Sequence, residues 1–517
     1  MGKFSLRLRK TSKSAQVQDI DSPLAPAFGS LTLESPQPYL HLMRQVKKQP
    51  DALAVATLNS ELTFRGLFER SKQIASVLRE RGVQPGQVVV TALPSSENLP
   101  FLAAIMHEAA IGATAPLSVF DSKLNHMIDW LISTEYLAGF PKEKTILADQ
   151  AFFSRIETAT TILELRHYPS FDSVCRLVFS SGTTGTPKGI PFRIDDLEQR
   201  NEYSRNAWMS EQPFMSLIGL PAVTGFQTAY ASLVAGQPFF TPGDGAQNLA
   251  MIARYKVAGI KGSPNQLAEL MPEISKNPSM AASLRVAQAA GSFLPNQLAQ
   301  AFKTAAGCKV VNLYGATEVG LIAKREEISS DENDVGYLVP GAQVEVVDEK
   351  DNPLPFGETG VIRWHRDFMS NEYFQNPEAT AAAFKGKWFY PGDTGRLTAE
   401  GQLFLAGRSS ELINAGGVKL NPAAIDDFLI RYPGVADGAS FSYAGSLGVT
   451  AFALAVVVEP DFDRQGLLNA FKREFAGAAP STIIRVPSIK RNEMRKVLRA
   501  ELARDLERIL SQQQARS

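Results

Sequence analysis

The sequence predicts an α/β protein: a large N-terminal domain of layered α/β subdomains with a strand-rich subdomain, then a small α+β C-terminal domain. Three observations carry this. Short apolar runs alternate with helical patterns through the first three hundred or so residues. The pattern then changes to short strands broken by turns, and a charged amphipathic stretch closes the chain. At 517 residues the chain exceeds the size at which one core splits, so two or three subdomains are expected.

Residues 1–37 carry Lys3, Arg7, Arg9, Lys10 and Lys13 with no apolar stretch behind them, and read as a loosely ordered lead-in rather than a secretory signal. Met1-Gly2 opens like a myristoylation site, but Leu6 occupies the position that needs Ser or Thr. Leu62–Arg81 places Leu67, Phe68, Ile74 and Leu78 at helical spacing and stops before Gly82. Val88–Leu93 reads as a strand and Phe101–Ala109 as the helix after it. The unit recurs as helix Leu249–Ala258, strand Gly259–Ile260 and helix Asn265–Met271. From Val335 to Trp364 short strands take over, Gln343–Val347 and Gly360–Trp364 flanking the turn Asp351-Asn352-Pro353. Glu493–Leu510 sets Leu498, Leu502, Leu506 and Leu510 four apart, the stripe of an amphipathic helix.

Composition narrows the function classes. Balanced charge, 53 basic against 53 acidic residues, argues against general adhesion to nucleic acid or membrane. An apolar share of 44% and a charged share of 21% are those of an ordinary globular protein. No run of apolar residues is long enough for a membrane span. Only Cys175 and Cys308 are present, outside any nucleophile motif; this excludes a disulfide framework and fits a reducing, cytoplasmic setting.

The chemistry concentrates in Phe179-Ser180-Ser181-Gly182-Thr183-Thr184-Gly185-Thr186-Pro187-Lys188-Gly189, entered from the apolar strand Leu177–Phe179. Glycines let backbone approach an anion, hydroxyls and N–H groups donate to it, and Lys188 adds a point charge. Composition alone leaves a surface loop open, and the spacing is not Walker A, since Gly189 follows the Lys.

The order of residues decides between them. The run resembles the phosphate-loop signature of the adenylate-forming enzymes: acyl- and aryl-CoA synthetases, peptide-synthetase adenylation domains and luciferases. Three further motifs of that family follow in order: Tyr314-Gly315-Ala316-Thr317-Glu318, Lys387-Trp388-Phe389-Tyr390-Pro391-Gly392-Asp393, and Gly407-Arg408-Ser409-Ser410-Glu411-Leu412-Ile413-Asn414-Ala415-Gly416-Gly417. The resemblance spans roughly Tyr39 to Leu506. It implies a large domain over 38–407, a hinge at 408–411 and a small mobile domain over 412–517. Ser410 replaces the family's first hinge Asp.

The resemblance also implies roles. Ser180, Ser181, Gly182, Thr183, Thr184, Gly185 and Lys188 would hold the β- and γ-phosphates of ATP, and Glu318 and Thr184 would meet Mg²⁺. Thr317 would contact phosphate or metal, and Asp393 the ribose hydroxyls. Arg408 would touch ribose or phosphate. Tyr314 and Gly315, bordered by Gly291, Ser292 and Asn312, would face adenine. Lys496 aligns with the catalytic lysine of the small domain, with Asn492, Val497 and Arg499 also matching and Arg495 in place of a glycine. Gly416 and Gly417 would line the passage for a pantetheine arm, a double-Gly hairpin turn being the alternative.

The implied activity joins a small carboxylic acid to AMP, releases pyrophosphate and passes the acyl group to coenzyme A. The alternative acceptor is carrier-protein phosphopantetheine, with the acyl carrier protein supplied in trans. A non-catalytic nucleotide-binding relative is a third reading. Phe226-Gln227-Thr228-Ala229 has Gln where amino-acid-activating members have Asp, so an apolar or aromatic acid is expected. Leu220-Pro221-Ala222-Val223-Thr224-Gly225 lacks the His of many CoA ligases. Phe214, Phe226, Tyr230, Phe239 and Phe240 are either an apolar pocket or core.

Overall fold

The computed structural model describes residues 36–115, 124–161, 164–180, 188–207, 209–291, 294–331, 333–408, 413–415, 418–420, 422–444, 450–475, 480–492 and 496–514. Helix α1 (Leu40–Lys48) and the hairpin of β1 (Leu53–Ala56) with β2 (Glu61–Thr63) lead into α2 (Phe64–Glu80). Thr63 caps α2 by accepting the Gly66 N–H at 3.1 Å. The helix ends before Gly82, whose φ of +93° disfavours any side chain. The expected stripe Leu67, Phe68, Ile74 and Leu78 is buried.

The first α/β layer comprises β3 (Val88–Ala92), α3 (Ser95–His107), β4 (Ile111–Thr114), β5 (Trp130–Ser133), β6 (Thr145–Leu147), α4 (Gln150–Thr158), β7 (Val174–Ser180) and β8 (Lys188–Arg193). Its strands run in the order β6-β5-β3-β4-β7-β8. All pairs are parallel except β7 with β8. Val89 faces one core while Val88 and Val90 face another, so the sheet is covered on both sides, as a continuous valine run requires.

The second layer follows α5 (Ile194–Ala207). It comprises β9 (Phe214–Ser216), α6 (Val223–Ala235), β10 (Phe239–Phe240), α7 (Gly245–Tyr255), β11 (Gly259–Gly262), α8 (Pro264–Lys276), β12 (Val286–Ala290), α9 (Asn296–Ala306) and β13 (Lys309–Ala316). Strand β10 pairs with β1, whereas β9, β11, β12 and β13 lie parallel. Leu249, Ile260, Leu267, Ala287 and Phe302 share the core under helices α7 to α9.

The strand-rich region is not a separate sheet. Strand β14 (Gly320–Arg325) turns back antiparallel against β13, and β15 (Asp334–Leu338), β16 (Gln343–Val347) and β17 (Gly360–His365) continue from it. After α10 (Pro377–Ala383) come β18 (Phe384–Lys385), β19 (Trp388–Phe389), β20 (Asp393–Leu397) and β21 (Gln402–Arg408), completing one 12-stranded sheet. Parallel and antiparallel halves therefore meet at the β13–β14 hairpin, the segment that carries Tyr314 to Glu318.

Beyond it lie the hairpin β22 (Ile413–Ala415) with β23 (Val418–Leu420), α11 (Pro422–Arg431), β24 (Val435–Ala444), β25 (Thr450–Val458), α12 (Arg464–Glu474), β26 (Thr482–Arg485) and α13 (Arg499–Gln514). Strand β25 alternates as period two demands: Phe452, Leu454 and Val456 pack with α11 and α12, whereas Ala453 and Ala455 pack with Leu502 and Leu506 of α13.

The last helix begins at Arg499, not at Glu493 as expected. Asn492 explains the difference. Its Oδ1 accepts the Lys496 N–H at 2.8 Å, and its own N–H donates to the Lys496 carbonyl at 2.9 Å. Leu498 N–H then reaches the Lys490 carbonyl at 2.9 Å and Arg491 bridges Val497 antiparallel, so 496–498 are not helical; Glu493 itself lies outside the described residues.

Candidate active site

Strands β7 and β8 bring Ser180 opposite Lys188, so the residues at the two ends of the phosphate-loop motif are paired in one ladder. Ser181, Gly182, Thr183, Thr184 and Gly185 lie outside the described residues, as does the side chain of Ser180. Lys188 is described. Its Nζ stands over the Tyr373 ring, 4.6 Å from the centroid.

The Tyr373 hydroxyl donates to Glu318 Oε1 at 2.8 Å. Burial, then the neighbouring Glu318, push the Tyr373 phenol far above its ordinary value, so it remains a donor. Lys188 from the first layer and Glu318 from the β13–β14 turn thus meet on one aromatic ring. Tyr373 is itself held from behind: its N–H reaches Thr380 Oγ1 at 2.9 Å on α10, a helix begun by Asn376 as cap and Pro377 at its first position.

Arg200 of α5 fixes the backbone of the same turn. Its guanidinium donates to the carbonyls of Thr317 (2.8 Å), Glu318 (2.5 Å) and Phe368 (3.0 Å) and stacks on Phe192 of β8 at 4.5 Å. Burial lowers its pKa to about 10, so it stays charged near neutrality. Residues 370–374 also run along β8. Ser370 N–H donates to the Glu318 carbonyl and Phe374 N–H to that of Gly189, both at 2.8 Å, and Ser370 Oγ donates to the Pro191 carbonyl at 2.8 Å.

Tyr314 and Asp393 form the second half of the site. Asp393 is buried at the head of β20, and its Oδ2 accepts a hydrogen bond from the Tyr314 hydroxyl. The Tyr314 ring meets Trp364 edge-on at 5.1 Å. Gly315 is required here, since a Cβ would stand 2.1 Å from the Gly320 carbonyl oxygen. Gly291, at φ +92°, follows the Ala290–Leu313 pair and so lies level with Tyr314 at the carboxyl edge of the parallel strands. Open α/β sheets bind ligands at that edge. Asn312, also buried, lies one pair below.

The remaining candidates divide. Arg408 is the backbone partner of Asp393 in the β20–β21 ladder, though its side chain lies outside the described residues. Ser292, Ser410, Gly416, Gly417 and Arg495 also lie outside them. Lys496 is in the C-terminal unit, within the Asn492 turn. Arg491 pairs with Asp437 on one side of it, and Arg499 pairs with Asp426 at 2.5 Å on the other.

The expected aromatics are core. Phe226, Tyr230 and Phe239 belong to the first-layer cluster, Phe240 to the second, and Phe214 packs with Met209 and Ala231. Both cysteines are free and buried, and burial pushes the Cys308 thiol up to about 11 and that of Cys175 further still. Small buried hydrophobes is the right description of them.

Among the described residues no three His, Cys, Asp or Glu side chains gather to form a metal cage. Glu318, a single buried carboxylate, suits Mg²⁺ that arrives with ATP and keeps phosphate and water ligands. Arg200 and Tyr373 escaped sequence reasoning. Their partners lie 117 and 55 residues away.

Comparison with known proteins agrees with this geometry. The family model described as AMP-binding enzyme matches residues 42–374. Enterobactin synthase component E of Escherichia coli K12 is 26% identical over 454 residues, 79% of this chain and 83% of its own length. A salicylyl-CoA synthase/salicylate adenylyltransferase of a Streptomyces species is 25% identical over 471 residues, covering 82% and 84%. The fold is that of O-succinylbenzoate coenzyme A synthetase from Bacillus subtilis in complex with AMP, at a TM-score of 0.77 and 22% identity over 89% of this chain and 97% of that one. The chain belongs to the AMP-binding enzymes of the adenylate-forming superfamily.

Proposed function

We propose that this chain, an AMP-forming acid–thiol ligase by family, activates an apolar or aromatic carboxylic acid as its AMP ester and transfers the acyl group to coenzyme A. The observation that carries the reading is the convergence of motif residues 188, 314, 318 and 393 on two adjoining contacts, Lys188–Tyr373–Glu318 and Tyr314–Asp393. Both reactants are anions, so the protein must neutralise charge and align the attack. Lys188 offers a cation to the polyphosphate and Asp393 an acceptor to ribose. Glu318 would hold Mg²⁺, which supplies further charge neutralisation when bound. Lys496 would bridge carboxylate and α-phosphate oxygens from a small domain turning on 408–411. Gln227 in place of an acid supports a substrate without an ammonium group.

Pyrophosphate exchange dependent on an added carboxylic acid, measured across aliphatic, aryl and amino acids, tests the first step. No exchange with any acid, together with ATP binding by calorimetry, would establish a non-catalytic relative. Thioester formation with free coenzyme A tests the second step; formation only on a pantetheinylated carrier protein would replace coenzyme A as the acceptor.

A further inference from the structure

Tyr373 has no place in the four motifs, yet it touches two of their charged residues at once. Its ring supports the Lys188 ammonium at 4.6 Å and its hydroxyl occupies Glu318 Oε1 at 2.8 Å. Three restraints hold the ring in place: its N–H on Thr380 Oγ1, an edge contact with Phe384 at 5.4 Å, and the backbone bond from Phe374 to Gly189 next door. Glu318 is fixed from the other side, because Arg200 grips its carbonyl. The carboxylate is therefore oriented through two routes, backbone and side chain.

A lysine and a glutamate that met directly would compensate the charge each offers a nucleotide. An aromatic face attracts the ammonium without supplying a counter-charge, and the phenol hydrogen bond engages one carboxylate oxygen. We propose that Tyr373 is a positioning residue: it keeps Lys188 and Glu318 apart, presents the ammonium to polyphosphate, and turns the second carboxylate oxygen of Glu318 toward the metal. The inference rests on the proposed adenylation site. It adds to that site a residue whose two ends serve two ligands, the hydroxyl the divalent cation and the ring the phosphates.

The two ends are separable by substitution. Tyr373→Phe keeps the ring under Lys188 and removes only the hydroxyl. Tyr373→Leu removes both. Mn²⁺ binding to the full-length protein saturated with ATP, followed by electron paramagnetic resonance, reads the first end, and the KM for ATP in pyrophosphate exchange reads the second. Tyr373→Phe is expected to weaken Mn²⁺ about tenfold, the size of a lost hydrogen bond to a charged group, with the KM for ATP unchanged. Tyr373→Leu is expected to weaken Mn²⁺ as much and also raise the KM for ATP about fivefold. A structural role alone would move both readouts together in both variants, which would overturn the proposal. So would unchanged Mn²⁺ affinity in Tyr373→Phe. Glu318→Gln is the control: if it binds Mn²⁺ as the unaltered protein does, the metal assignment of the site fails, and the inference with it. If Glu318→Gln weakens Mn²⁺ and neither Tyr373 variant does, the role of Tyr373 alone is wrong. Either Tyr373 variant suffices for the metal arm should the other not fold.

Discussion

Tyr314 donates its phenol hydrogen to Asp393 across a separation of 79 residues, joining the end of β13 to the head of β20. One oxygen of the carboxylate expected to hold ribose is thus already oriented by a residue expected to face adenine. A carboxylate oxygen has two acceptor positions, so this bond and a ribose hydroxyl are compatible on the same atom.

Tyr314→Phe should therefore raise the KM for ATP with little change in folding, because it loosens Asp393 without removing it. Asp393→Asn should do more, since it exchanges a charged acceptor for a neutral one. A hydrogen bond to a charged group is worth about 1.5–3 kcal/mol, so a loss of about tenfold to a hundredfold in kcat/KM for ATP is expected for Asp393→Asn. Equal, small effects from both would mean that neither group touches the nucleotide.

Lys261 gives a prediction for stability. It lies on β11 beside Gln288 of β12, on the face opposite Ile260 and the helix-covered core. Burial alone pushes its ammonium down from 10.5 to about 7. Between those values the unfolded chain holds a proton that the folded chain does not, so this group makes stability rise with pH across the window. Below pH 7 the penalty is present in full, and above about 10.5 it vanishes. Lys261→Met should remove this pH dependence, so that its stability relative to the unaltered protein falls from pH 7 toward pH 10. Urea unfolding of both proteins over that range measures it. A difference independent of pH would show that Lys261 does not titrate there.

Arg499 matched a family pattern in the sequence without a role, and the structure supplies one. Its guanidinium meets both oxygens of Asp426 on α11, at 2.5 and 3.1 Å, and both side chains are largely buried. Breaking such a pair typically costs about 3–5 kcal/mol because a charge remains buried. Arg499→Met should destabilise the C-terminal unit by about that much, and Arg499→Met with Asp426→Leu by clearly less. Thermal melts of the two variants separate these outcomes. Melting points equal to that of the unaltered protein in both variants would reduce the pair to a surface contact.

How far the sequence could be read depended on the range of each interaction. The strand before the phosphate loop, the helix stripe of Leu67 and Leu78, and the Tyr314 and Asp393 motifs rest on neighbours in sequence, and all were legible. Arg200 and Tyr373 were not, since what defines them is a carbonyl or carboxylate brought close only by the fold. The single sheet shared by the parallel and antiparallel halves was hidden for the same reason: strand patterns give no pairing partners. The start of the last helix was misread because leucine spacing outweighed the turn-forming side chain of Asn492, which wins locally by satisfying the Lys496 N–H.

That turn governs the last prediction. Lys496 sits where Asn492 closes the backbone, between the Arg491–Asp437 and Arg499–Asp426 pairs, so its position is set relative to β24 and α11 of the C-terminal unit. If that unit turns on 408–411, Lys496 can enter the nucleotide site in one orientation only. Lys496→Ala should then lower adenylation by about 10²–10³, the usual effect of losing one preorganised charge donor. Thioester formation from a supplied acyl adenylate should stay nearly intact. Asn492→Ala, which frees the turn and keeps the lysine, should slow adenylation by less and again spare the second step. Both half-reactions are measured separately, by pyrophosphate exchange and by thioester yield from the synthetic adenylate. If both fell equally in Lys496→Ala, the lysine would be acting on the whole unit and not on the first step. If neither fell, the adenylating cation would have to be sought in another basic residue, beginning with Arg495.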